Sequence, residues 1–234
     1  MSILLVNDDG YDSLLTSQLF EALSMIHRVI MVAPHFEQSA KGHSFTMNGP
    51  IRIHSHDENV YSIQGTPADC VYSGLHYICA NEDIDLVVSG INNGANLGAD
   101  IFYSGTVAAA REAAINRVPA IALSTNRFKV MDHPTHTREC VTKALEYVER
   151  GLASTWVFGE HWNINFPTRL AADSVERHCS LGFREYEKRV RDLGDNCIGI
   201  GGKPIPPKES ESDVWFNHLG YITMTKLGLK SELH

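Results

Sequence analysis

The sequence predicts an α/β protein with a mainly parallel sheet covered by helices on both faces. Short unbroken apolar runs of strand length alternate with stripes at helical spacing, and polar, glycine-rich clusters stand where the runs end. Residues 3–6 form the first run, which stops at Asn7-Asp8-Asp9-Gly10. Leu15, Leu19 and Leu23, joined by Phe20 and Ile26, make a helical stripe, and residues 29–33 form a second run ended by Pro34, completing a βαβ unit.

The alternation continues with a helical stripe at Ala68, Val71, Leu75 and Ile78 and a buried strand at residues 85–89. An Ala-rich helix at 107–115 and a strand at 120–124 come next, followed by a helix marked by Val141, Ala144, Leu145 and Val148 and a strand at 162–166. Residues 188–212 are rich in charge, glycine and proline and read as a long loop or extended arm. The alternating stretch at 220–225 then predicts a strand at a sheet edge or on a partner subunit.

The chain of 234 residues suits a single domain with an appendage, and its 43% hydrophobic and 21% charged residues argue against disorder. A formal net charge of -8 repels nucleic acid polymers and anionic membranes, so a phosphate ester would need local positive charge from amides, a helix N-terminus or a cation. Five scattered cysteines without a paired motif suit reduced thiols. Residues 1–9 have no basic n-region, and their apolar stretch is too short for a signal peptide or membrane span, so a cytoplasmic protein is expected.

In open α/β sheets ligands bind beyond the carboxyl ends of the strands, and three such ends carry chemistry here: Asn7-Asp8-Asp9-Gly10, the stretch 34–44 with Gln38-Ser39, and the loop 89–98. Adjacent carboxylates repel unless solvated or joined by a cation, and convergence with Ser39 and an asparagine would give an all-oxygen set suited to Mg²⁺ or Mn²⁺. An Asx-turn with a helix cap is the plain alternative for Asp8-Asp9-Gly10. Gly90, Gly94 and Gly98, interleaved with Asn92, Asn93 and Asn96, suggest close approach of backbone to ligand. Ser104, Gly105 and Thr106 open the Ala-rich helix, where free amides and hydroxyls hold a phosphate or a Ser/Thr merely caps.

These strings resemble the signature blocks of the SurE survival-protein nucleotidases: Asn7-Asp8-Asp9-Gly10, Gln38-Ser39-Ala40, Gly65-Thr66-Pro67-Ala68-Asp69, Ser89-Gly90-Ile91-Asn92-Asn93-Gly94, and Tyr103-Ser104-Gly105-Thr106-Val107. The blocks stand in family order across the first half of the chain. The resemblance implies a Rossmann-like three-layer αβα sandwich spanning residues 1–234, with an arm at about 184–234 exchanged in a homodimer that can pair into a homotetramer. It implies hydrolysis of nucleoside 5′- and 3′-monophosphates, with broad phosphatase or exopolyphosphatase side activity. One divalent cation, Mg or Mn, would be held by Asp8, Asp9, Ser39 and Asn92, with Asp8 or Asp9 handling the attacking water. Asn96, Ser104, Gly105 and Thr106 would hold the phosphate.

Two departures stand out. Tyr11-Asp12-Ser13-Leu14-Leu15 replaces a short Ala-Pro-Gly stretch and could alter access to the pocket, and residues 192–213 match only loosely. An aspartyl-nucleophile phosphatase of the haloacid dehalogenase type is disfavoured by Gly10, which stands where its second carboxylate belongs. A phosphoacceptor receiver module lacks its aspartate and lysine, Ser89 and Ser124 standing near those strand ends instead. His54-Ser55-His56-Asp57 reads as a solvated strand edge, and Gly199-Ile200-Gly201-Gly202-Lys203 as loop, since it lacks Walker spacing.

Overall fold

The central sheet alternates its side chains between two helical layers. In β1 (Ser2–Val6), Ile3 and Leu5 pack toward α1 (Leu14–Ser24) and α4 (Pro134–Ala153), while Leu4 and Val6 pack toward α2 (Pro67–Ser73) and α3 (Gly105–Ile115). The period of two in a strand buried on both faces explains why the apolar runs are continuous. Two cores result, and the predicted three-layer αβα sandwich is what the computed structural model contains; it describes residues 1–229. The last five residues of the predicted arm, 230–234, lie outside the described residues.

The sheet runs β3-β4-β2-β1-β5-β6-β7-β11-β8, with β2 (Arg28–Pro34), β3 (Ile53–Asp57), β4 (Val60–Ile63), β5 (Leu86–Asn93), β6 (Ala120–Thr125), β7 (Glu160–Phe166), β8 (Glu176–His178) and β11 (Ile222–Gly228). Strands β4, β2, β1, β5, β6 and β7 are parallel. From β1 the chain winds first to β2 and then back across to β5, so the winding reverses between β1 and β5. That reversal opens a crevice at the carboxyl ends of β1 and β5, which is where ligands bind in such sheets.

Helix α3 is buried from Gly105 through Ala114, and its alanines, Ala109, Ala110 and Ala113 among them, let it lie close to both the sheet and α2. The stripe expected to end at Ile78 continues from α2 as a π-helical turn, Gly74–Ile78. Ile26, expected on the inner face of α1, lies beyond the helix end at 58% exposure. The helix stops at Ser24 because His27 and Arg28 turn the chain into β2, and the amide of Arg28 donates to the Met1 carbonyl.

Two expectations for the C-terminal third need correction. The strand predicted at a sheet edge or on a partner is β11, antiparallel to β7 of the same chain from Thr223 to Gly228 and covered on its outer side by β8. The glycine-rich stretch read as loop is strand β10 (Cys197–Gly201), paired with β9 (Arg189–Gly194) in a two-stranded ribbon. Ribbon glycines can pair because this hairpin packs little: Val190, Leu193, Ile198 and Ile200 are exposed. The short helix α5 (Asp213–His218) links the ribbon to β11.

Candidate active site

Asn7, fully buried at the end of β1, builds the first loop. Its amide donates to the Gly10 carbonyl (2.6 Å) and to Thr16 Oγ1 (2.9 Å), and its Oδ1 accepts from the Gly10 amide (3.2 Å). The Asx-type turn is therefore made by Asn7, which frees the two following carboxylates from that task. Nor do they cap α1, whose N-cap is Ser13. The second loop is pinned to the first by Tyr11 N–H donating to the Pro34 carbonyl (3.0 Å) and Gln38 N–H donating to the Asp8 carbonyl (2.8 Å). Ser39 is brought beside Asp8 by that bond.

Asp8 sits against the first turn of α3. Thr106 Oγ1 donates to its Oδ1 at 2.6 Å, and a Cβ on Gly105 would stand 2.9 Å from the Asp8 Cβ, so only glycine lets helix and carboxylate approach this closely. Burial pushes the Asp8 carboxyl up to about 6, the Thr106 hydrogen bond pulls against the shift, and the neighbouring Asp9 charge adds to it. Asp9 is raised by burial too and by Glu37, opposed by the Asn93 amide at 3.3 Å and the charge of Arg127.

A cleft of about 400 Å³ opens here, and Asp8, Ser39, Asn92, Asn96 and Ser104 line it. Asp9, Gly105 and Thr106 stand outside that lining: Asp9 on the Asn93 amide, and Gly105 and Thr106 against Asp8. Larger cavities of about 590 and 700 Å³ lie beneath the arm and between α1 and α4, but neither includes a residue from the ends of β1 or β5. Asp100, Tyr103, Arg127 and Tyr186 also line the cleft, and motif spacing did not single them out. Only Tyr103, adjoining the Ser104-Gly105-Thr106 string, carried a signal that could have found it.

The expected phosphate donors are partly engaged. Thr106 gives its hydroxyl proton to Asp8, because a buried carboxylate is the strongest acceptor at that helix end. Ser104 Oγ caps α3 by accepting from Val107 N–H (3.0 Å), and the Asn96 side-chain amide donates to Ser124 Oγ (2.8 Å). The glycine expectation also changes. Gly90 approaches the backbone of β6, where a Cβ would meet the Leu123 carbonyl oxygen at 2.2 Å, and Gly98 approaches Gly182 at the arm's base, at 2.6 Å. These two glycines serve close packing of backbone on backbone rather than on a ligand. Tyr11 does not narrow the cleft either; it stacks on His56 (4.0 Å between centroids) and His35 (5.4 Å). His54 and His56 do lie on the edge strand β3, with His35 stacked on His54 at 4.6 Å.

Among the described residues no three His, Cys, Asp or Glu side chains converge on a metal position. The expected ligand set has only two carboxylates, completed by a hydroxyl and an amide oxygen. That chemistry fits a hard cation: oxygen donors alone, and a buried acid, Asp8, whose hydrogen-bond partner is a neutral hydroxyl.

Fold and cleft together define a doubly wound α/β protein with an acidic, oxygen-lined cleft at its switch point. The family model described as Survival protein SurE matches residues 3–188. The 5'-nucleotidase SurE of Alkaliphilus metalliredigens is 37% identical over 242 residues, covering 97% of this chain and 92% of that protein. The one from Vibrio vulnificus is 37% identical over 241 residues, covering 100% and 92%. The crystal structure of the SurE protein from Aquifex aeolicus superposes with a TM-score of 0.86 at 35% identity, covering 98% of this chain and 94% of that one. The chain belongs to the SurE family.

Proposed function

We propose that this chain is a divalent-cation-dependent phosphomonoester hydrolase that converts nucleoside 5′- and 3′-monophosphates to nucleoside and phosphate, with other phosphomonoesters and short polyphosphate as side substrates. The observation that carries the reading is Asp8: a buried carboxylate beside a second acid, at the switch-point cleft and against a helix N-terminus. The nucleotidase names of the full-length relatives support it.

In this reading Asp8, Asp9, Ser39 and Asn92 hold Mg²⁺ or Mn²⁺, and Asn96, Ser104, Gly105 and Thr106 hold the phosphate. Held there, the cation would supply charge neutralisation at a phosphoryl oxygen and a lowered pKa for water in the cleft. Asp8 or Asp9 would orient the attacking water and accept its proton. Thr106 keeps Asp8 aimed, the Ser124 contact fixes the Asn96 side chain at the cleft wall, and the first turn of α3 would turn its backbone dipoles toward the phosphate. A cytoplasmic homodimer or homotetramer with the arm exchanged belongs to the same reading, supported by the five free cysteines and the exposed apolar side chains of the ribbon.

The decisive assay measures phosphate release from a panel of nucleoside monophosphates after chelation and then Mg²⁺ or Mn²⁺ add-back. Activity should vanish and return. Asp8→Asn should abolish turnover while keeping a native circular dichroism spectrum, and metal-dependent turnover retained in that variant refutes the assignment.

A further inference from the structure

The cleft is larger than a cation and a phosphoryl group require: at about 400 Å³ it falls in the range of small-molecule sites, roughly 300–1,000 Å³. Two tyrosines stand in the part of its wall that the proposed metal and phosphate residues leave unused. Tyr103 directly precedes the helix-capping Ser104. Its amide donates to the Asp100 carbonyl (3.0 Å) and its carbonyl accepts from Gly42 N–H (2.9 Å), so the backbone is fixed while the residue stays 68% exposed. Tyr186 comes from the base of the arm. Its hydroxyl donates to Asp100 Oδ2 (2.5 Å), and the Arg184 guanidinium lies 5.5 Å from its ring centroid and donates to the same Asp100 oxygen (3.0 Å).

The polar groups of this wall are largely committed elsewhere. The Asn93 side chain donates to the Phe128 carbonyl (2.9 Å) and accepts from its amide (3.0 Å). The Asn92 amide donates to the Gly94 carbonyl (2.5 Å), and Asp100 is held by Tyr186 and Arg184. Apart from the Arg127 guanidinium, whose charge acts on Asp9, what remains for the organic part of a substrate is aromatic surface rather than a donor and acceptor code.

We propose that Tyr103 and Tyr186 seat the base of the substrate by stacking, so that the enzyme prefers nucleotides over phosphate esters without an aromatic group and discriminates weakly among bases. This deepens the nucleotidase reading and rests on it. Every base has a π-face, so stacking attracts without reading edges; removing one stacking partner costs about 1–3 kcal/mol per base, or roughly 5- to 150-fold. Because Tyr186 belongs to the arm, base preference depends on how the arm docks on Asp100.

The test compares kcat/KM for adenosine 5′-monophosphate and for ribose 5-phosphate, the same ester without a base. In Tyr103→Ala the ratio of the two should fall within that 5- to 150-fold range, through KM, and Tyr103→Phe should restore it. Tyr186→Phe keeps the ring and should keep the ratio, while Tyr186→Ala lowers it. An unchanged ratio in both alanine variants overturns the proposal, as does an equal loss on both substrates, which would mark a structural role. If the parent protein hydrolyses neither ester, the hydrolase reading fails. The seat is then judged by calorimetry with the same two ligands and Mn²⁺, where equal affinity for both in the parent overturns it.

Discussion

Thr106 and Asp8 show how one hydroxyl can set the state of a buried acid. The 2.6 Å bond favours the ionised form and opposes the burial that lifts Asp8 to about 6. Thr106→Val removes the donor at nearly constant volume. The carboxyl should rise further and divalent cation affinity at pH 7 should fall by about tenfold, one hydrogen bond to a charged group being worth about 1.5–3 kcal/mol. Thr106→Ser should recover most of that loss, and titration of Mn²⁺ binding by calorimetry reads both. Because a ligating carboxylate must be deprotonated, affinity in the parent protein should weaken as pH falls through 6.

Asp213 acts between elements. Its carboxylate, fully buried, accepts from the amides of Gly98 (2.8 Å), Gly182 (2.7 Å) and Val214 (2.8 Å), tying the end of the loop after β5, the base of the arm and α5 together. The same loop carries Asn96 and follows directly on Asn92 at the end of β5, so this anchor supports two candidate site residues from behind. Asp213→Ala strands three amides and should cost about 3 kcal/mol by denaturant unfolding, each buried unsatisfied group costing about 1–3 kcal/mol with partial relaxation. Phosphate release should fall along with stability. An alanine variant as stable as the parent would show that the tie does not bear on the fold.

Across the whole molecule, stability should depend on pH through buried groups whose effects run in opposite directions. His161, buried at the start of β7, has its pKa lowered to about 4, chiefly by burial and next by the charge of Arg111, with a contact to the Gly159 backbone working against the shift. Its folded pKa lies below the unfolded value of about 6.5, so the unfolded chain binds the proton first and stability declines as pH falls from 6.5 toward 4. The span corresponds to about 3 kcal/mol at most. Asp8 acts in the opposite sense over part of this window, its raised pKa making the cation-free fold more stable as pH falls from 6 toward 3.8. The contribution of His161 is therefore read as a difference: His161→Phe should be less acid-sensitive than the parent in urea unfolding at pH 7 and pH 5. Parallel losses in both proteins would show that His161 does not titrate on unfolding.

The alternation of apolar runs and helical stripes was enough for the layers and for five of the six parallel strands, because a strand buried on both faces has no polar period to hide it; β4, half-buried and only four residues long, gave no such run. Motif strings likewise singled out residues that the fold gathers at one cleft, with Asp8, Ser39, Asn92, Asn96 and Ser104 on its walls. Tertiary structure alone decided the remainder. It placed β11 inside the sheet, paired β9 with β10, brought Tyr186 and Arg184 onto Asp100, and made Asp213 an anchor. Composition and spacing record which side chains want burial and how the backbone turns locally. Which donor meets which acceptor across 80 or more residues, as when Arg184 reaches Asp100 and Gly98 reaches Asp213, is set by the packing of whole elements and leaves no periodic trace in the chain.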